Sequence, residues 1–123
     1  MLQAIKVTTT GSAGAATGTT TSTFQVRGFL MGVRNNYHAS APATTVVTIT
    51  EAGGMQRTLL TAPASATDVT FNPQALVNKP DGTSASFYWP FYLDGVNITV
   101  TVTLSDALTD AVEVLLSIAG DVR

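Results

Sequence analysis

The chain has 123 residues, no cysteine and a formal net charge of −2. That length suits one domain with a core of its own. The missing cysteines exclude disulfides, thiolate nucleophiles and Cys-ligated metals, and the slight acidity argues against nucleic acid or an anionic membrane as a partner.

Threonine supplies 21 of the residues, and only 11% are charged; this mix disfavours helices and suits strands and turns. A first strand is expected at Gln3–Thr9. Residues 11–23 form a low-complexity Gly/Ala/Ser/Thr stretch with no side chain larger than threonine. It cannot build a core alone and is expected as a surface loop, or as an arm that orders against a neighbour. Phe24–Arg34 is a long strand with Gly28 and Gly32 inside it, which suggests a bulge or a close backbone approach. Thr44–Glu51 and Met55–Thr61, joined through Gly53-Gly54, pair antiparallel. Asp68–Phe71 is a short strand, residues 73–77 allow at most one helical turn, Lys79–Gly82 is a turn, and Ser84–Tyr88 is a further strand. Leu93–Val96 is expected as a hairpin turn into Ile98–Leu104. There Ile98, Val100, Val102 and Leu104 share one face and Thr99, Thr101 and Thr103 the other. Val112–Ile118 alternates likewise, and the two segments are expected as a hairpin or as near neighbours in one sheet. About eight short strands at roughly ten-residue spacing indicate a single all-β domain over residues 1–123, an antiparallel β-sandwich or barrel.

Charge is uneven: residues 1–60 sum to +3 and residues 61–123 to −5. Such a division either orients neighbouring copies head to tail or reflects an ordinary mixed surface. Residues 1–6 carry no signal-peptide pattern and no apolar run reaches membrane-helix length. The expectation is synthesis in the cytoplasm, with use there or export as part of a particle.

The inventory for catalysis is thin. His38, the sole histidine, lies in a polar turn, and no G-x-S-x-G elbow accompanies it. Asp106 and Asp110 are close in sequence but flank a turn, where solvated carboxylates are ordinary. P-loop, dinucleotide and EF-hand patterns are absent, so neither an enzyme nor a cofactor is expected. The outstanding feature is Ser86-Phe-Tyr-Trp-Pro-Phe-Tyr-Leu-Asp-Gly95: Phe87, Tyr88, Trp89, Phe91 and Tyr92 are five of the nine aromatics. They could stack on sugar rings, anchor a protein interface, or fill the core. A division between core and interface fits the interruption at Pro90 best.

Tyr37-His-Ala-Ser-Ala-Pro-Ala-Thr-Thr-Val-Val-Thr-Ile-Thr50 and Phe91-Tyr-Leu-Asp-Gly-Val-Asn-Ile-Thr-Val-Thr-Val102 resemble segments of tailed-bacteriophage capsid decoration, or cement, proteins and related minor head proteins. The resemblance spans about residues 24–118 and rests mostly on strand and turn patterns. It implies a jelly-roll-like sandwich on the outer capsid surface of a virion, with the major capsid protein and copies of itself as partners. It assigns no contact residue. The alternative from the aromatic run is a non-catalytic carbohydrate-binding module, with a phage tail as one place for it.

Overall fold

The computed structural model describes residues 1–123. Eleven strands form, and no helix: β1 Leu2–Val7, β2 Ala16–Thr21, β3 Val26–Tyr37, β4 Val46–Glu51, β5 Thr58–Ala62, β6 Val69–Phe71, β7 Gln74–Asn78, β8 Ser84–Pro90, β9 Tyr92–Val96, β10 Ile98–Ser105 and β11 Val112–Val122. One sheet runs β1-β11-β3-β6, with β9 also on β3; a second runs β2-β10-β4-β5. Every pairing is antiparallel. The chain alternates between sheets through β1, β2, β3 and β4, turns back through β5, and alternates again through β9, β10 and β11. Eight strands in this order make a jelly roll. The other three, β6, β7 and β8, come from one segment inserted between β5 and β9.

Period-two patterning explains the core. Val100 and Val102 of β10 face Val114, Leu116 and Ile118 of β11 across the sandwich, with Leu30 and Val33 of β3, and all are essentially inaccessible. These strands are not the expected hairpin. β10 lies between β2 and β4, and β11 between β1 and β3. Leu104, at φ 54°, is exposed rather than inward, and the chain crosses between sheets over residues 106–111. Thr9, buried, holds that crossing: its Oγ1 donates to the Asp106 carbonyl at 2.5 Å and accepts from the Leu108 amide at 3.1 Å.

The expected bulge in β3 is present. Ser117 pairs with Gly32 but Ile118 with Leu30, so Met31 is the extra residue. Gly28 and Gly120 face each other on β3 and β11. A Cβ on Gly120 would lie 2.0 Å from the Arg27 carbonyl oxygen, so only glycine lets these backbones meet.

Three expectations are corrected. Residues 16–21, read as loop or arm, form edge strand β2 on β10. Gly18 there leans on β1, where a Cβ would sit 2.2 Å from the Thr8 carbonyl oxygen; smallness is required at this seam, and the alternating threonines satisfy the strand. Residues 73–77 give strand β7 rather than a helical turn, because β8 offers a partner ladder. Leu93–Val96 is part of β9, paired to β3, and β9 and β10 lie in different sheets.

The two outward faces differ. On the second sheet Thr99 pairs with Thr21 and Thr50, Thr101 with Thr19 and Thr48, Thr50 with Thr58 and Thr48 with Thr61. Two ranks of four threonines cross four strands with no charge among them.

Candidate functional site: an aromatic hairpin outside the sandwich

β7 and β8 pair only with each other. Gln74 is opposite Pro90, Ala75 opposite Trp89, Leu76 opposite Tyr88 and Asn78 opposite Ser84. The turn is built as its sequence demands. The Gly82 amide donates to the Lys79 carbonyl at 2.9 Å, and Gly82 takes φ 86°. Asp81 Oδ1 accepts from the Thr83 amide at 3.0 Å and from its hydroxyl at 2.7 Å. The Thr83 hydroxyl and amide hold the Asp81 carboxyl below its usual range.

Between the Leu76–Tyr88 and Asn78–Ser84 pairs the register shifts, with Val77 facing Ala85, Ser86 and Phe87. Ser86 adopts φ 63°, its amide bonded to Ser84 Oγ at 3.0 Å. Trp89 and Tyr88 lie in the regular part of the ladder and stay on the surface because the hairpin projects from both sheets of the sandwich. Phe87, Tyr88 and Trp89 are 51%, 59% and 58% exposed, and Leu76 beside them 48%. Such a hairpin is marginal alone in water; Pro73, buried, and Ala75, packed on the core cluster, fasten its base.

The run divides at Pro90. Phe91 belongs to the core at 8% exposure, and its carbonyl accepts from the Leu30 amide at 2.9 Å. Tyr92 returns to the surface on β9, 46% exposed, edge-on to Phe29 with ring centroids 5.3 Å apart. Of the five aromatics, then, one is core and four are surface, three of them on the hairpin.

Composition did not reveal the clamp beneath. The Glu51 side chain is 2% exposed and meets Arg57 Nη2 at 2.6 Å, with the Arg57 amide donating to it at 3.0 Å. Arg57 also donates to the Tyr92 carbonyl at 2.7 Å and lies 5.2 Å from the centroid of Phe91. Burial pushes the Glu51 carboxyl up, but the hydrogen bonds and charge of Arg57 outweigh it and hold it below its usual range. The pair pins residues 91–92, where the hairpin joins the sandwich. The only sequence signal was an acid and an arginine flanking a Gly-Gly turn. Between them and Tyr92 lies an open cleft of about 380 Å³.

No catalytic grouping assembles around the polar candidates. His38 is exposed, its Nδ1 accepting from the Ser40 amide at 3.0 Å. Asp106 Oδ1 accepts from the Gly14 amide at 2.9 Å, while the Asp110 amide donates to Thr8 Oγ1. Both acids thus sit in turn structure.

No family model, curated protein or solved structure matches this chain.

Proposed function

We propose that the chain is a structural virion protein that binds the outer surface of a capsid, stabilises contacts between capsid subunits, and uses the β7–β8 hairpin as its anchor. One observation carries this reading: three large aromatics and Leu76 stand about half exposed on a hairpin outside a closed, well-packed jelly roll. A fully buried aromatic covers about 150–250 Å², so the hairpin and Tyr92 together offer roughly 400 Å² of apolar surface. That lies within the range of a monomer's largest, often functional, patch. At ~25 cal/mol per Å² the gross gain is about 10 kcal/mol, most of it offset by the cost of association. One contact is weak; many copies on a repeating shell are not. The absence of charge on Phe87–Tyr92 favours an apolar protein groove over a phosphate-bearing partner.

A carbohydrate-binding module is the second reading, favoured by Trp89 beside Tyr88. Quantitative mass spectrometry of purified particles, with wild type and Trp89→Ala, separates the two. Decoration predicts hundreds of copies in fixed ratio to the shell protein and at least a ~10-fold loss with Trp89→Ala at unchanged thermal midpoint. Unchanged incorporation of the variant, with glycan binding lost, would establish the module instead.

A further inference from the structure

The outward face of the first sheet is unlike that of the second. The second presents ranked, uncharged threonines; the first collects the exposed ion pairs and an apolar strip. Lys6–Glu113 at 3.9 Å, Arg27–Asp94 at 3.3 Å and Arg34–Asp68 at 4.0 Å all lie on it. Among these charges sit Leu2, 62% exposed, Met31, 49% exposed, and Leu115, half-buried. Next to Met31 is an open cleft of about 260 Å³, bounded by Leu2, Gly32, Arg34 and Leu115.

The bulge creates this relief. The extra residue in β3 is Met31, which turns outward, and the next residue, Gly32, leaves a gap where a side chain would stand. A knob therefore lies beside a hole whose walls are mostly hydrocarbon, with Arg34, Thr70 and Ser117 at its edge. Methionine is the most adaptable of apolar knobs, and bulges commonly re-aim a side chain.

We infer that this face is a self-contact surface, on which two copies pack sheet to sheet across a two-fold axis with Met31 of each in the cleft of the other. A second copy fits for two reasons. In a two-fold contact the same patch serves both partners, and here each patch supplies both knob and hole. The face also carries Lys6, Arg27 and Arg34 against Glu113, Asp94, Asp68 and Asp121, the last in register with Arg27, so charges of both signs nearly cancel and a rotated copy meets little net repulsion and can exchange ion-pair partners. The threonine face has no such relief and keeps its hydroxyls in water.

Area sets the strength. Four strands at about 4.8 Å spacing, each contributing about six residues at ~3.3 Å, project roughly 400 Å². That is about half of the ~800 Å² per partner in a standard stable complex. The dimer is therefore weak, with a dissociation constant on the order of 10 μM or above. It is independent of the capsid reading, because the hairpin takes no part.

Sedimentation velocity of the full chain from about 1 μM to about 1 mM tests it. The expected result is a reversible monomer–dimer equilibrium, weakened at least ~30-fold by Met31→Lys, since an ammonium would enter a cleft that Arg34 borders, desolvated and beside a like charge. Trp89→Ala and Thr101→Glu should leave the dimer intact while Trp89→Ala loses particle binding, so the two proposals fail separately. Should Met31→Lys disturb folding by circular dichroism, Leu115→Lys replaces it. Amide shifts of Leu2, Met31 and Leu115 on dilution of the wild type need no variant. A chain that stays monomeric at ~1 mM, or a dimer broken by Thr101→Glu or Trp89→Ala but not by Met31→Lys, would overturn the proposal.

Discussion

Replacing Arg57 by methionine keeps much of the aliphatic stem but leaves the Glu51 carboxylate without its partner. Removing one member of a buried pair costs about 3–5 kcal/mol. The Arg57 side chain is itself 29% exposed, so water softens the loss and the low end, about 3 kcal/mol, applies. Loss of the bond to the Tyr92 carbonyl adds roughly 0.5–1 kcal/mol, incompletely additive with the rest. A domain of this size has on the order of 6–18 kcal/mol in total, and the thermal midpoint should fall by about 10–15 °C. The pH dependence is more telling. In the wild type the Glu51 carboxyl is held below its usual range. Its contribution is therefore fully present above the ordinary carboxylate pKa of about 4.3 and is lost as the pH falls through the lowered value. In Arg57→Met the backbone amide of residue 57 still donates to Glu51, but burial, the largest influence, outweighs that one bond and the carboxyl rises; stability is then greatest at low pH and is lost as the pH rises through the new value. The gap between the two proteins should be largest near pH 7 and narrow by pH 4. Urea unfolding at both pH values, followed by far-UV circular dichroism because Trp89 is too exposed to report on the core, measures it. A gap under ~1 kcal/mol at pH 7, or one equal at the two pH values, would refute the argument.

Two other substitutions probe the sandwich. Gly120→Ala places a Cβ 2.0 Å from the Arg27 carbonyl oxygen and should cost more than about 2 kcal/mol by forcing β3 and β11 apart, read as a loss of urea midpoint; a loss under ~0.5 kcal/mol would show that the strands yield freely. Asn35→Leu removes a fully buried amide that lies beside the buried Tyr37 hydroxyl, neither group being bonded elsewhere in the protein; the gain from removing the amide and the cost of stranding the hydroxyl offset, and stability should change by less than about 1 kcal/mol; a loss above ~2 kcal/mol in the same assay would mean the amide is well bonded.

How far the sequence was legible depends on which physical signal each segment carries. Alternation placed Ile98, Val100 and Val102 inward and Thr99, Thr101 and Thr103 outward, because side-chain direction in a strand is local. It could not say which strands flank β10, because pairing is a long-range choice and Leu104 leaves the pattern through a left-handed backbone. The count of about eight strands matches the jelly roll, but by a different set. β2 was hidden because small residues were read as unable to pack, when close approach to Thr8 requires them. β9 was taken as a turn because Asp94-Gly95 is a strong turn pair, yet Gly95 instead serves a register shift against β3. The aromatic run was legible as mixed core and surface. Its division was not, since it depends on β7 and β8 pairing only with each other outside the sandwich and on Arg57, which lies 30 or more positions away in the sequence.

The position of β11 has a consequence for the order of synthesis. The last strand in the chain lies between β1, the first, and the long β3, and takes most of its hydrogen bonds from them. Until β11 leaves the ribosome, β1 has no partner in its sheet, and the inward side chains of β10 lack Val114, Leu116 and Ile118, the centre of the facing layer. The hairpin, by contrast, pairs locally and is complete some twenty residues earlier. A nascent chain would therefore display its stickiest element before it has a body to carry it. Folding must be fast once β11 emerges, or the hairpin must be shielded until it does.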